Sequence, residues 1–167
     1  MMRPWHPPPV TTRGSTDAPV PGPTLRQATL DDLAAVLPRT SDLNAHESIT
    51  LEPAALEAAL ARLLGDPALG GVWLVERAGA VIGYALVTFG YDLEFGGRDA
   101  YLTELWIDPE ARGAGAGGEV LDLLAPVLRA LGVGALHLQV RPENPARRLY
   151  ERRGFVASPR VIMTRRL

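Results

Sequence analysis

The sequence contains no cysteine and no lysine. The first absence excludes disulfides, thiolate metal sites and a cysteine nucleophile, and it fits a reducing, cytoplasmic setting. The second excludes the phosphate-binding loop of nucleotide hydrolases, which needs a lysine after its last glycine. His6, His46 and His137 are the only histidines and lie far apart, so no metal is expected. No apolar run is long enough to span a bilayer, and the N-terminus lacks the apolar core of a signal peptide, so no membrane partner is expected. The net charge is −2, with every positive side chain an arginine. That balance offers no basic excess for nucleic acid, and the arginine usage reads as compositional bias. What remains is a chain of 167 residues, 47% of them hydrophobic, which suits one domain around one core.

The chain divides into a tail and a domain. Residues 1–23 carry Pro4, Pro7, Pro8, Pro9, Pro19, Pro21 and Pro23 among small polar residues, and are expected to form a disordered or polyproline-like tail. Residues 24–167 make the domain. Thr24 to Ala28 reads as a first strand. Thr29 caps a helix with Asp32 three residues on, and Leu30, Leu33, Ala34 and Leu37 form its apolar face, with Pro38 near its end. Ser41 to Leu51, with Asp42, His46 and Glu47, reads as an irregular loop whose residues are solvated or line a substrate pocket. A second helix runs from Pro53 to Leu64.

Gly71 to Arg77 and Val81 to Phe89 form a hairpin, followed by a turn-rich stretch from Gly90 to Asp99. Tyr101 to Ile107 is apolar on both faces and therefore a central strand. Val120, Leu121, Leu124, Val127, Leu128 and Leu131 lie at helical spacing, and Pro126 predicts a kink or break among them. Ala135 to Val140 is a strand, and Asn144-Pro145 opens a last helix ending at Gly154. Phe155 to Ala157 and Arg160 to Arg166 read as two closing strands. The order β-α-α-β-β-β-α-β-α-β-β predicts an α/β (α+β) fold: a mixed, mostly antiparallel sheet of about seven strands with about four helices on both faces.

One stretch carries the chemistry. The apolar strand ends at Ile107, Asp108-Pro109 breaks it, and Arg112 opens a run holding Gly113, Gly115, Gly117 and Gly118 before a helix. The free N–H groups of a first helical turn, the helix dipole and uncovered glycine backbone together make an anion site. Arg112 adds a charge and a fork that fits phosphate oxygens. This loop, Arg112, Gly113, Ala114, Gly115, Ala116, Gly117 and Gly118, is expected to grip a pyrophosphate. Gly113, Gly115 and Gly118 also match the G-x-G-x-x-G of a dinucleotide-binding domain, but a D-P-E-A-R connector intervenes between strand and glycines.

Two motifs decide between these readings. L-W-I-D-P-E-A-R-G-A-G-A-G contains R-x-x-G-x-G, and N-P-A-R-R-L-Y-E-R-R-G-F spans Asn144 to Phe155, with one strand between them. In this order they resemble the Gcn5-related N-acetyltransferases (GNAT) along residues 24–167. Ala116, where that family usually has a bulky aliphatic residue, and Pro126 depart from the pattern. The resemblance implies an acetyl-CoA-dependent N-acetyltransferase. Arg112 to Gly118 would hold the coenzyme A pyrophosphate. Leu105, Trp106 and Ile107 would face the cofactor, and Asn144 the pantetheine arm. Glu104 is the carboxylate nearest this centre and the candidate base; the alternative is a structural glutamate paired with an arginine. Tyr150 matches the family's tyrosine that protonates the departing thiolate, or is a core tyrosine. Gly90-Tyr91-Asp92 leading into Tyr101-Leu102-Thr103-Glu104 is similar to the diamine acetyltransferase branch, which would make Asp92 and Glu94 receptors for a cationic amine. The acceptor would be a small-molecule primary amine, a polyamine being one option among small amines, amino acids, aminoglycosides and protein N-termini, and a homodimer is compatible. The rival functions are a non-catalytic acyl-CoA-binding regulatory module and a dinucleotide-binding domain of an oxidoreductase.

Overall fold

The computed structural model describes residues 21–113 and 115–167. The expected tail falls almost entirely outside that range. Of it, only Pro21 to Pro23 are described, and Pro23 is buried. The chain forms strand β1 (Thr24–Gln27), helices α1 (Leu33–His46) and α2 (Pro53–Gly65), and strands β2 (Gly70–Arg77), β3 (Ala80–Asp92) and β4 (Gly97–Ile107). Helix α3 (Ala116–Ala130), strand β5 (Ala135–Leu138) and helix α4 (Arg147–Arg152) follow. The strands lie side by side in the order β1-β2-β3-β4-β5, antiparallel except for the final β4–β5 pair. A dinucleotide-binding sheet is parallel, so this topology removes that rival.

Strand alternation sends apolar side chains to both faces of the sheet. Val72, Leu74, Tyr84, Leu86 and Trp106 pack beneath α1 and α2 with Val36 and Leu60. Trp73, Val75, Ala85, Val87, Ala100 and Leu102 meet Val120, Leu121, Leu124 and Leu128 of α3 on the other face. These α3 residues recur every three or four positions, which is the stripe a surface helix needs.

Three departures from the sequence reading have physical causes. First, the loop expected from Ser41, just past Pro38, is helical as far as His46. Pro38 and Ala34, whose carbonyl the proline leaves without its helical donor, are both exposed, so water can replace the lost bond. Val36, Thr40 and Leu43 continue one inward stripe, and the Thr40 and Ser41 hydroxyls return to the Val36 and Leu37 carbonyls at 3.2 and 3.0 Å. Second, α3 runs unbroken through Pro126, because Asp122 and Pro126 also face solvent. Third, the sheet has five strands, not about seven. Residues after Phe155 form no strand; Val156, Val161 and Met163 are 91, 81 and 90% exposed, so these side chains bury nothing that would offset the cost of ordering them.

The turn-rich stretch from Gly90 is largely strand. β3 runs to Asp92 and β4 starts at Gly97, so the reversal is confined to a short 3-10 turn, Leu93–Phe95, closed by Gly96 and Gly97 at φ 76° and 148°. Among the described residues no helix is long and apolar enough to cross a membrane.

Candidate active site

The site begins where β4 and β5 part. Their ladder runs from Asp99 opposite Ala135 to Leu102 opposite Leu138 and stops there. Thr103 to Ile107 therefore keep β3 on one side and have no strand on the other. The Asp108 N–H donates to Ile82 of β3 at 2.8 Å. Backbone direction alternates along a strand, so the N–H groups of Ile107 and Leu105 turn the other way, into the gap. That gap widens into a cleft of about 840 Å³. Leu105, Trp106 and Ile107 line it, together with the glycine loop, Asn144 and Tyr150.

The loop has the form its glycines require. Gly113 and Gly115 sit at φ 85° and 81°, and apart from its neighbours in the chain no described residue lies within 4 Å of where a Cβ on Gly113 would stand. Gly118 and Glu119 turn their N–H groups back to the Gly115 carbonyl at 2.9 and 3.2 Å. The N–H groups of Ala116 and Gly117 donate to no described residue and open the first turn of α3. Ala114 lies outside the described residues. Ala116 is buried in the core beneath the loop, so the side chain that departs from the family pattern still faces inward.

Arg112 is held from two sides. Its guanidinium carbon lies 4.6 Å from the Trp106 ring centroid, and its Nε donates to the Ile107 carbonyl at 2.8 Å. The two terminal nitrogens form no hydrogen bond to a described residue. Trp106 is itself tied down: its indole N–H donates to Asp108 Oδ1 at 3.0 Å. Asp108 in turn receives Arg39 of α1 through Nε at 2.9 Å and Nη2 at 2.6 Å, while Arg39 also reaches the Ala35 and Val81 carbonyls. On the far side of the loop, Arg153 bridges Asp122 at 2.8 Å and donates to the Gly118 carbonyl at 3.3 Å, locking α4 to α3. These groups fit a diphosphate: open backbone donors, an oriented arginine and a rigid frame.

Glu104 lies on the α1 side of the sheet. Its partner is not an arginine, as the structural alternative supposed, but Tyr84, whose buried phenol donates to Glu104 Oε2 at 2.5 Å. Burial raises the Glu104 pKa, and the Tyr84 hydrogen bond opposes that rise. Tyr84 itself is pushed far up, by desolvation first and then by the Glu104 charge. Tyr150 lines the cleft, with its ring edge-on to Phe155 at 5.8 Å. Burial and then the charge of Glu47 raise its pKa, so its proton is retained at neutral pH. The Asn144 side chain accepts from the Ala146 N–H at 2.9 Å and holds the turn into α4.

The structure does not bring Asp92 and Glu94 to this site. Both sit at the far tip of the β3–β4 hairpin, outside the residues that line the cleft. Asp92 accepts from the Glu94 N–H at 2.8 Å, and Glu94 pairs with Arg160 at 2.5 Å. The long hairpin explains their displacement: Tyr91 and Asp92 are paired with Arg98 and Gly97, eight and more residues along β4 from Trp106. In their place the cleft receives the end of α1: Asn44, His46, Glu47 and Ile49. The hint was the cluster of polar residues after Ser41. Arg141 of the β5–α4 connection closes the same side and pairs with Glu47.

Among the described residues no group of three His, Asp or Glu side chains could hold a metal ion. Site and fold together define an α/β domain whose mixed sheet opens beside a glycine loop into one cleft. The model of the acetyltransferase (GNAT) family matches residues 37–155, and the chain belongs to that family. Bovine thialysine N-ε-acetyltransferase is 36% identical over 64 residues, 38% of this chain and 37% of that protein. A candidate acetyltransferase structure from Arthrobacter sp. FB24 is 30% identical, with TM-score 0.72 over 90% of this chain and 98% of the other. An integron cassette protein, HFX_CASS3, from the mobile metagenome of Cole Harbour Salt Marsh is 29% identical, with TM-score 0.75 over 86% and 90% of the two chains. A candidate acetyltransferase of Clostridium acetobutylicum solved with acetyl-CoA shares the fold at 19% identity, with TM-score 0.72 over 86% and 96%.

Proposed function

We propose that this chain transfers an acetyl group from acetyl-CoA to the primary amine of a small molecule by direct attack. The observation that carries the reading is the opened β4 edge, which shares one cleft with the glycine loop, Glu104 and Tyr150. Arg112 and the N–H groups of the loop hold the diphosphate, and the free edge of Leu105 to Ile107 pairs with the amides of the pantetheine arm. Acetyl-CoA supplies an activated acyl group, and an inward N–H of that edge polarises its carbonyl. Asn144, beside the same arm, keeps its turn and lines the path.

Glu104 takes the proton that the incoming amine must lose, directly or through water. As the carbon–nitrogen bond forms and the carbon–sulfur bond breaks, Tyr150 gives its proton to the sulfur. Its raised pKa keeps the donor charged with a proton until then. The bovine relative named for thialysine supports an amine acceptor.

The test is Tyr150→Phe. Calorimetry should find acetyl-CoA affinity unchanged, while CoA release against an amine panel falls by about 100-fold, the lower end of what a general acid contributes. Unchanged turnover removes Tyr150 from the acid role. A chain that binds acetyl-CoA yet releases no CoA with any amine would instead be the regulatory module.

A further inference from the structure

Beyond Arg112, the cleft holds a second arginine that the transfer chemistry leaves without a task. Helix α4 and the residue after it carry four arginines: Arg147, Arg148, Arg152 and Arg153. Arg147 pairs with Glu151 of its own helix at 2.8 Å, and Arg153 pairs with Asp122 of α3 at 2.8 Å. Arg148 is outside the residues that line the cleft. Arg152 lines it, is exposed, and has no hydrogen bond or ion pair to a described residue.

The packing of α4 on the start of α3 places this side chain. A Cβ on Gly117 would stand 3.3 Å from Leu149 Cδ2, and one on Gly118 3.2 Å from Leu149 Cδ1. Leu149 therefore rests directly on the turn whose amides open into the cleft. At about 100° per residue, Arg152 and Arg153 fall on opposite flanks of Leu149. Arg153 takes the flank toward the body of α3, where it holds Asp122 and the Gly118 carbonyl. Arg152 takes the other, which faces the cleft. Arg112 comes to the same turn from the β4 side, against Trp106.

Coenzyme A carries two separate anionic groups: the diphosphate on the ribose 5′ carbon and a monophosphate on the 3′ carbon. The loop amides and Arg112 meet the first. A monophosphate ester carries close to two negative charges at neutral pH, and the loop itself has no second cation to offer it. Arg141, the remaining arginine of the cleft, is paired with Glu47 at the end of α1. Resting on the acetyl-CoA reading of the cleft, we propose that Arg152 receives the ribose 3′-phosphate and makes the site select coenzyme A over its dephospho form. The guanidinium fork fits two phosphate oxygens at once. The contact is exposed, so its contribution is modest and falls with salt.

Calorimetry with acetyl-CoA and acetyl-dephospho-CoA, identical except for that phosphate, tests this. At low salt the unaltered protein should bind the first about fivefold more tightly, the upper end for an exposed charge pair, and the difference should shrink as KCl is raised. Arg152→Gln should weaken acetyl-CoA until the two ligands bind alike and leave acetyl-dephospho-CoA in place, while Arg152→Lys keeps part of the difference. Arg112→Gln should weaken both ligands by the same factor. Equal binding of the two ligands by the unaltered protein overturns the proposal. So does an Arg152→Gln that weakens both alike or leaves their difference intact; in each of these cases the acetyl-CoA reading stands. If neither ligand binds, that reading falls and takes the proposal with it.

Discussion

Tyr84→Phe isolates one hydrogen bond and nothing else. The Tyr84 ring is fully buried between α1 and the sheet, and phenylalanine preserves that packing. The lost hydroxyl is the group that donates to Glu104 at 2.5 Å. A hydrogen bond to a charged acceptor contributes about 1.5–3 kcal/mol, and its full strength is felt only while Glu104 is ionised. Burial already disfavours the ionised form, and the Tyr84 bond is the influence that works against burial. Around the pair, Asp42 adds a nearby negative charge, so no cation replaces what is removed. The folded pKa of Glu104 thus moves further up, and the pH at which the rate rises moves up with it. Since about 1.4 kcal/mol is a factor of ten, the rate on the acidic limb should fall about tenfold or more, and it should recover where Glu104 ionises again. Initial rates of CoA release across pH, at saturating acetyl-CoA, measure this. A uniform loss at every pH, or a limb that does not move, refutes the assignment of Glu104 as base. Glu104→Gln should flatten the limb altogether.

Further substitutions test the frame. Arg39→Met removes the side chain that bridges α1 to Asp108 and leaves a half-buried carboxylate without its cation; a loss of about 2 kcal/mol in denaturant unfolding is expected, and Asp108→Asn in the same chain should return part of it. Gly115→Ala forces a side chain onto a left-handed residue, about 1–2 kcal/mol of strain; calorimetry should show weaker acetyl-CoA binding, and unchanged affinity would mean the loop does not hold the diphosphate. Gly118→Ala would set a Cβ 2.5 Å from Arg153 Nη2 and 3.2 Å from Leu149 Cδ1, so the Arg153 guanidinium must shift and strain its bridge to Asp122; a drop of about 1 kcal/mol in stability is expected. Leu124→Ala opens a cavity in the fully buried α3 stripe and should cost about 2–5 kcal/mol by the same unfolding measurement.

Legibility followed the range of the interactions. The glycine loop, the α3 stripe and the turn at Asn144 are written in neighbouring residues, because backbone conformation and helical spacing are local. The continuation of α1 past Pro38 was not legible. It depends on Thr40 and Leu43 finding a sheet to face, and that sheet is built by residues 70–107. The displacement of Asp92 and Glu94 is likewise a matter of hairpin length. Gly90, Gly96 and Gly97 read as turn chemistry wherever they stand, but only the pairing of Tyr91 with Arg98 shows that the strands extend that far. The closing strands were a reading of β-propensity alone, and propensity without a partner edge or a buried face does not make a strand.

The placement of the base rests on one extra residue. Ala100 and Leu102 of β4 face α3, and strict alternation would send Glu104 to that side as well. The pairing of Leu86 with Glu104 and of Val87 with Leu102 leaves Thr103 without an opposite number, a β-bulge, and its hydroxyl returns to the Leu86 carbonyl at 3.2 Å. Beyond it the faces exchange: Leu105 and Ile107 now pack toward α3, while Glu104 and Trp106 face α1. The same residue lies where β4 loses β5. One bulge therefore turns the carboxylate toward Tyr84 and the end of α1, and leaves the neighbouring N–H groups aimed into the open edge. Base and carbonyl-binding edge can then come from successive residues of one strand. The spacing of Leu102, Leu105 and Ile107, three residues and then two, is the trace of that exchange in the sequence.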